Sequence, residues 1–127
     1  MKKGVAAMQE ALGDCLFPII LGANTEAHTC VRRMGRRYGV GSTVLTGKRA
    51  LTLRFLPDVR VISAPPTLSD EILLAILLDL DVECGLRLPV LIECDGAYDD
   101  FVARNRATLE AHFIVRRAGD VLREMDS

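Results

Sequence analysis

Two short runs of uninterrupted apolar residues, Phe17-Pro18-Ile19-Ile20-Leu21 and Pro89-Val90-Leu91-Ile92, limit this chain more than any other feature. Neither alternates apolar with polar residues, so a strand made from either must be covered on both faces. Helix-length segments lie between the strand candidates and can supply that cover. Strands joined through helices run parallel, because a parallel connection has to cross the sheet. The expectation is an α/β domain of three layers, Rossmann-like, around a mostly parallel four-stranded sheet.

The elements follow from local chemistry. Strand 1 stops at Gly22-Ala23-Asn24, and Asn24 can accept an unpaired N–H of the helix that runs from about Thr25 to Arg37. Ala27, Val31, Met34 and Tyr38 make its apolar stripe, while Arg32, Arg33, Arg36 and Arg37 cluster elsewhere on it. Those arginines suit a phosphate, or equally a solvated face near the negative helix end. Ser42 to Thr46 reads as strand 2, a short segment runs on to Phe55, and Val59 to Ser63 reads as strand 3. Pro65-Pro66 enforces an extended connection, and Thr67-Leu68-Ser69-Asp70 has the form of a capping box.

The helix from about Asp70 to Cys84 is apolar nearly all round. Ile72, Leu73, Ile76, Leu77 and Leu80 form one face, and Leu74, Leu78 and Val82 a second. A helix buried on one side does not need the second stripe. Leu74, Leu78 and Val82 are therefore candidates for an interface, a homodimer being one form of it. After strand 4 a helix begins near Ala97, is interrupted at Asn105, and leads to Phe113-Ile114-Val115, a candidate last short strand.

Right-handed crossovers give the sheet order 3-2-1-4, with the chain reversing direction between strands 1 and 4. Ligands bind beyond the carboxyl ends of strands at such a reversal. That selects the loops around Gly22, Asn24 and Thr25 and around Asp95, Gly96 and Tyr98 as the ligand crevice. Asp95 there can accept a hydrogen bond from a ligand, or simply cap the following helix.

Composition and motifs exclude several functions. In 127 residues the 16 basic and 17 acidic side chains nearly cancel, which speaks against nucleic acid or an anionic membrane surface as partner. Met1-Lys2-Lys3 has no apolar stretch behind it, and no run approaches the roughly 20 residues of a membrane span, so the expected location is cytoplasmic. Cys15, Cys30, Cys84 and Cys94 lack metal-ligand spacing and read as free thiols, and no metal site is expected. The first loop has one of the three glycines of a dinucleotide fingerprint, and strand 2 leads to Lys48 and Arg49 in place of an acid; this speaks against NAD and leaves NADP a weak alternative. The Gly41 to Gly47 stretch misses P-loop spacing. Phospho-receiver acids and a nucleophile elbow are missing too, so no catalytic residue is assigned.

Two stretches together resemble a known family. One is Pro18-Ile19-Ile20-Leu21-Gly22-Ala23-Asn24 through Tyr38-Gly39-Val40. The other is Pro89 to Tyr98, then Phe101, Asn105-Arg106 and Leu109-Glu110. They are similar to the N-terminal pre-ATP-grasp domain of ATP-grasp carboxylate–amine ligases, a group that includes D-aspartate ligases and carbamoyl-phosphate-synthase-like proteins. The likeness spans roughly residues 17 to 116. Two departures stand out: Ala23 where the family often has a second glycine, and Asp95-Gly96 in inverted order. The resemblance implies a lead-in over 1–16, the domain over 17–117, and from 118 a linker to an ATP-grasp module on the same polypeptide, of which this chain is a truncated piece. It implies that ATP and Mg²⁺ bind in that module, with no cofactor in this domain. The implied chemistry is acyl-phosphate formation followed by attack of an amine. A free-standing nucleotide- or small-molecule-binding module is the alternative, and a dimerising interaction domain another.

Overall fold

The computed structural model describes residues 15–47, 53, 56, 58–94 and 96–126. The expected lead-in lies outside them as far as residue 14, as does most of the segment from 48 to 57. Strand β1 is Leu16–Leu21, followed by helix α1, Thr25–Tyr38, and strand β2, Ser42–Thr46. Strand β3 is Val59–Ser63, helix α2 Asp70–Cys84 and strand β4 Leu88–Glu93. A 3₁₀ turn at Gly96–Tyr98 leads into α3, Asp99–Arg104, and α4, Arg106–His112; strand β5, Ile114–Arg117, and helix α5, Ala118–Asp126, complete the order.

All strand pairs are parallel, in the order β3-β2-β1-β4-β5. The sheet therefore has five strands where four were expected. Residues 114–117 pair with Val90 to Glu93 along the open edge of β4, satisfying backbone groups that an edge strand leaves bare.

Side-chain alternation divides the core between the two faces. Phe17, Ile19, Leu21, Leu45 and Leu91 face α2, α3 and α4, and meet Leu73, Leu77, Phe101 and Leu109. Ile20, Val44, Val90 and Ile92 face α1 and α5, and meet Ala27, Val31, Met34 and Val121. A chain that keeps right-handed crossovers must change face when it changes direction. It does so between β3 and β4, where α2 carries it past β2 and β1.

The helix ends follow the expected chemistry with one shift. Asn24 caps α1 through Oδ1 and the Ala27 N–H, 3.0 Å. At α2 the cap is Ser69, accepting from the Ile72 N–H, and not Thr67. A turn closed by the Leu68 N–H on the Pro65 carbonyl holds Thr67 outside the helix. Asp70 then anchors the α3–α4 break: Arg104 donates to both its oxygens at 2.9 Å, and Asn105 Nδ2 donates to Oδ2 and to the Phe101 carbonyl. The Arg104 guanidinium holds the Asp70 carboxyl down at about 2.

Residues 118–126, expected as the start of a linker, form a helix packed on the domain. Ala118 and Val121 are buried, with Leu122 and Met125 partly so. Two arginines of the α1 cluster act here. Arg37 donates to the Met125 carbonyl at 3.1 Å and Arg33 to the Leu122 carbonyl at 3.5 Å, cations placed at a helix C-terminus.

Of the candidate interface stripe, Leu74 packs against the core, Leu78 is half-buried and Val82 is 82% exposed. Ile72, expected on the core face, is 49% exposed, and Leu86 beyond the helix end is exposed too. No helix among the described residues is long and apolar enough to cross a membrane.

Burial sets the expected cost of truncation on α2. Leu77→Ala, at a fully buried site, lowers stability by about 2–5 kcal/mol. Val82→Ala on the same helix changes it by less than about 0.5 kcal/mol. Paired urea titrations measure both; equal losses would contradict the orientation of α2.

Candidate functional site

The carboxyl ends of β1 and β4 lie side by side, as the strand order requires, but the crevice between them is stitched shut. Gly22, at φ 110°, turns the chain so that its N–H donates to the Leu45 carbonyl, 2.8 Å. Side chains rarely adopt that backbone conformation, which favours glycine there. Cys94 N–H donates to the Leu21 carbonyl at 3.0 Å, and Asn24 Nδ2 donates to the Cys94 carbonyl. Asn24 thus spends one amide atom capping α1 and the other joining two loops. The Tyr98 ring is in the core at 1% exposure, its hydroxyl donating to the Ala64 carbonyl at 2.7 Å.

Among the six crevice candidates, then, Gly22, Asn24 and Tyr98 are positioned as structural ties. Thr25 is exposed in the first turn of α1, its carbonyl accepting from the Thr29 hydroxyl. Asp95 lies outside the described residues. Among the described candidates, Gly96 lines a cavity at this edge of the sheet.

That space is one strand over. A cavity of about 370 Å³ sits at the carboxyl ends of β4 and β5, under the first turns of α1 and α5. Glu93, Asp99, Glu26 and Arg117 supply its charged walls, with Asp120 and Arg123 at its edge. Glu93 is the last residue of β4 and pairs in register with Leu21 on one side and Arg117 on the other. Its side chain is 4% exposed, and its Oε1 is buried without a hydrogen-bond donor. The nearest cation is Arg106 Nη2, 3.8 Å from Oε1, too far for a hydrogen bond.

Burial pushes the Glu93 carboxyl above the ordinary carboxylate range, and a hydrogen bond with Asp99 pushes it the same way; Arg117 and Arg106 pull against both. Sequence reading passed over Glu93 because a glutamate at a strand end is ordinarily solvated. The available signal was its place after four apolar residues, at the end of a strand covered on both faces.

Cys94 also lines the cavity. Its thiol is hydrogen-bonded with the buried Cys30 thiol, drawing Cys30 below its ordinary value against the effect of burial. Cys30, Cys84 and Cys94 are buried free thiols, as expected, while Cys15 is exposed. Among the described residues no group of three His, Cys, Asp or Glu side chains is placed to hold a metal ion.

A larger cavity, about 450 Å³, opens at the amino ends of β1, β2 and β3. Three of its charged side chains have partners. Arg60 is bidentate to Glu83 at 2.9 and 2.6 Å, and Arg87 stacks on Phe17 at 4.5 Å. Ser42 Oγ is buried there without a partner, but an unmet hydroxyl costs much less than an unmet carboxylate. The carboxyl-end cavity is the better candidate.

Asn24→Asp keeps the α1 cap but turns the donor facing the Cys94 carbonyl into an acceptor, and should cost about 1–3 kcal/mol in chemical denaturation. Glu93→Gln should reshape the pH dependence of stability. A folded-state pKa raised above the unfolded value favours folding fully below the latter, an advantage lost as pH rises through the raised value. From about pH 4.3 upward, wild type should therefore lose stability relative to Glu93→Gln, as read from urea midpoints across pH. A constant difference would show that Glu93 titrates normally.

No family model, no curated protein and no solved structure matches this chain.

Proposed function

We propose that this domain is the N-terminal, substrate-holding and scaffolding part of an ATP-grasp ligase that joins a carboxylate to an amine through an acyl phosphate. The observation that carries the reading is the parallel order β3-β2-β1-β4, which sets the two resembling stretches side by side at one edge of the sheet. Residues 18–24 and 89–98 are far apart in the chain, yet both end at this edge. The fold then belongs to the pre-ATP-grasp type, extended by β5 and α5. In this reading a following ATP-grasp module on the same polypeptide holds ATP and Mg²⁺, and this domain performs no chemistry alone.

A free-standing small-molecule-binding module is the second reading. What favours it is the carboxyl-end cavity with a buried carboxyl on its wall, a ligand site in its own right.

The two readings differ in a measurable way. In the first, the uninterrupted reading frame encodes a longer polypeptide that releases phosphate from ATP only when both a carboxylate and an amine are supplied. The 127-residue chain alone releases none and gives no heat with Mg-ATP in calorimetry. A reading frame that stops after Ser127, or ATP turnover by this chain alone, would overturn the ligase reading.

A further inference from the structure

We propose that Cys30 and Cys94 form a redox pair: a small peroxide entering the cavity at the carboxyl ends of β4 and β5 oxidises the two thiols to a disulfide, which an external dithiol reverses. The inference does not rest on the ligase reading.

Placement comes first. Val90, Ile92 and Cys94 alternate onto the side of the sheet that α1 covers, Cys94 lying just beyond the last residue of β4. Cys30 stands on the buried face of α1 with Ala27, Val31 and Met34. Both side chains thus enter the same core cluster from distant parts of the chain, and their thiols are hydrogen-bonded to each other. A disulfide needs two cysteines whose side chains point at one another, and this contact meets that condition.

The backbone around the pair is fixed. Asn24 caps α1 through Oδ1 and donates through Nδ2 to the Cys94 carbonyl, while the Cys94 N–H is tied to the Leu21 carbonyl. The start of α1 and the residue after β4 are therefore clamped together beside the two sulfurs. The remaining cysteines are placed otherwise. Cys84 Sγ donates to the Arg87 carbonyl at 3.0 Å on the opposite face of the sheet, and Cys15 is exposed before β1.

The two thiols differ in access. Cys30 has no exposure, whereas Cys94 is 8% exposed and lines the cavity. A space of about 370 Å³ admits hydrogen peroxide with ease, so the oxidant meets Cys94 first. The thiolate is the reactive form of cysteine, and a thiol–thiol hydrogen bond lets one sulfur carry the charge while the other keeps the proton.

The chemistry is a two-electron oxidation. With its proton passed out of the pair, the Cys94 thiolate attacks one peroxide oxygen. The O–O bond breaks, hydroxide leaves and takes up a proton as water, and Cys94 becomes a sulfenic acid. The Cys30 sulfur then attacks the Cys94 sulfur: an S–S bond forms, the S–O bond breaks, and the departing hydroxide takes the Cys30 proton. Two thiols and one peroxide have become one disulfide and two waters. Because the resolving thiol is already in contact, the sulfenic acid is consumed before further oxidation.

The test uses the Cys15→Ser chain, changed at an exposed position outside the pair, treated in native buffer with one equivalent of hydrogen peroxide. Two of its three thiols should disappear, peptide mapping should join the fragments carrying Cys30 and Cys94, and dithiothreitol should restore both thiols. In Cys30→Ser the sulfenic acid has no resolving partner, so trapping at Cys94 by a 1,3-dione should rise about tenfold or more. In Cys94→Ser the enclosed Cys30 should stay reduced. The mapping needs neither of these two variants, so a failure of either to fold does not decide the result. No loss of thiols, a link to Cys84, a disulfide that forms only in urea where the chain is unfolded, or sulfinic acid at Cys94 with Cys30 still free would each overturn the proposal. Any of those results leaves the ligase reading intact, since its own test is ATP turnover by the longer polypeptide.

Discussion

Burial of the β1–β4 pair on both faces is the constraint from which the remaining structure follows. Ile19, Ile20, Leu21, Leu91 and Ile92 have no measurable exposure, and they alternate between the two cores. Two strands that are apolar on both sides cannot be stable with a bare face. Helices must cover each side, and this chain supplies them, keeping one crossover hand, by reversing direction between β1 and β4. The helices α1 and α5 on one face, and α2, α3 and α4 on the other, answer that requirement.

The same reversal produces the carboxyl edge at which both loops meet. There the chain uses its polar groups in two ways. Asn24, Gly22 and Tyr98 are satisfied by backbone partners: Asn24 joins the β1 and β4 loops, Gly22 ties the end of β1 to β2, and Tyr98 is tied to Ala64 after β3. Glu93, one position further along the edge, lines a cavity, but its Oε1 is buried and incompletely satisfied. Structural polar groups in an interior are normally paired, so an unmet buried carboxyl on a cavity wall marks ligand chemistry more strongly than a well-bonded asparagine.

Much of the fold was legible from residues 16–112. Ser42 to Thr46, Val59 to Ser63 and Asp70 to Cys84 match the observed elements in full, and the break at Asn105 is present. These segments carry their own signal: continuous apolar runs, a capping side chain, or a stripe at helical spacing. The end of the chain was less legible. Ala118, Val121, Leu122 and Met125 do fall at helical spacing, but α5 begins directly after β5 with no turn residue to mark a boundary. The rule for strand reversals points to the carboxyl edge of the sheet, where the structure makes Asn24 and Tyr98 structural ties and buries Glu93, which no local signal singled out.

By itself the sequence determined the element types, the two-sided burial of β1 and β4, and hence the doubly covered parallel sheet. Those properties depend on residues near one another in the chain, through periodicity, capping and turn chemistry. Only the tertiary structure decided that Glu93 is buried, that Arg33 and Arg37 serve the carbonyls of α5, and that the cavity lies between β4 and β5. Each of these depends on groups from elements distant in sequence, and a side chain's solvation is set by what packs over it.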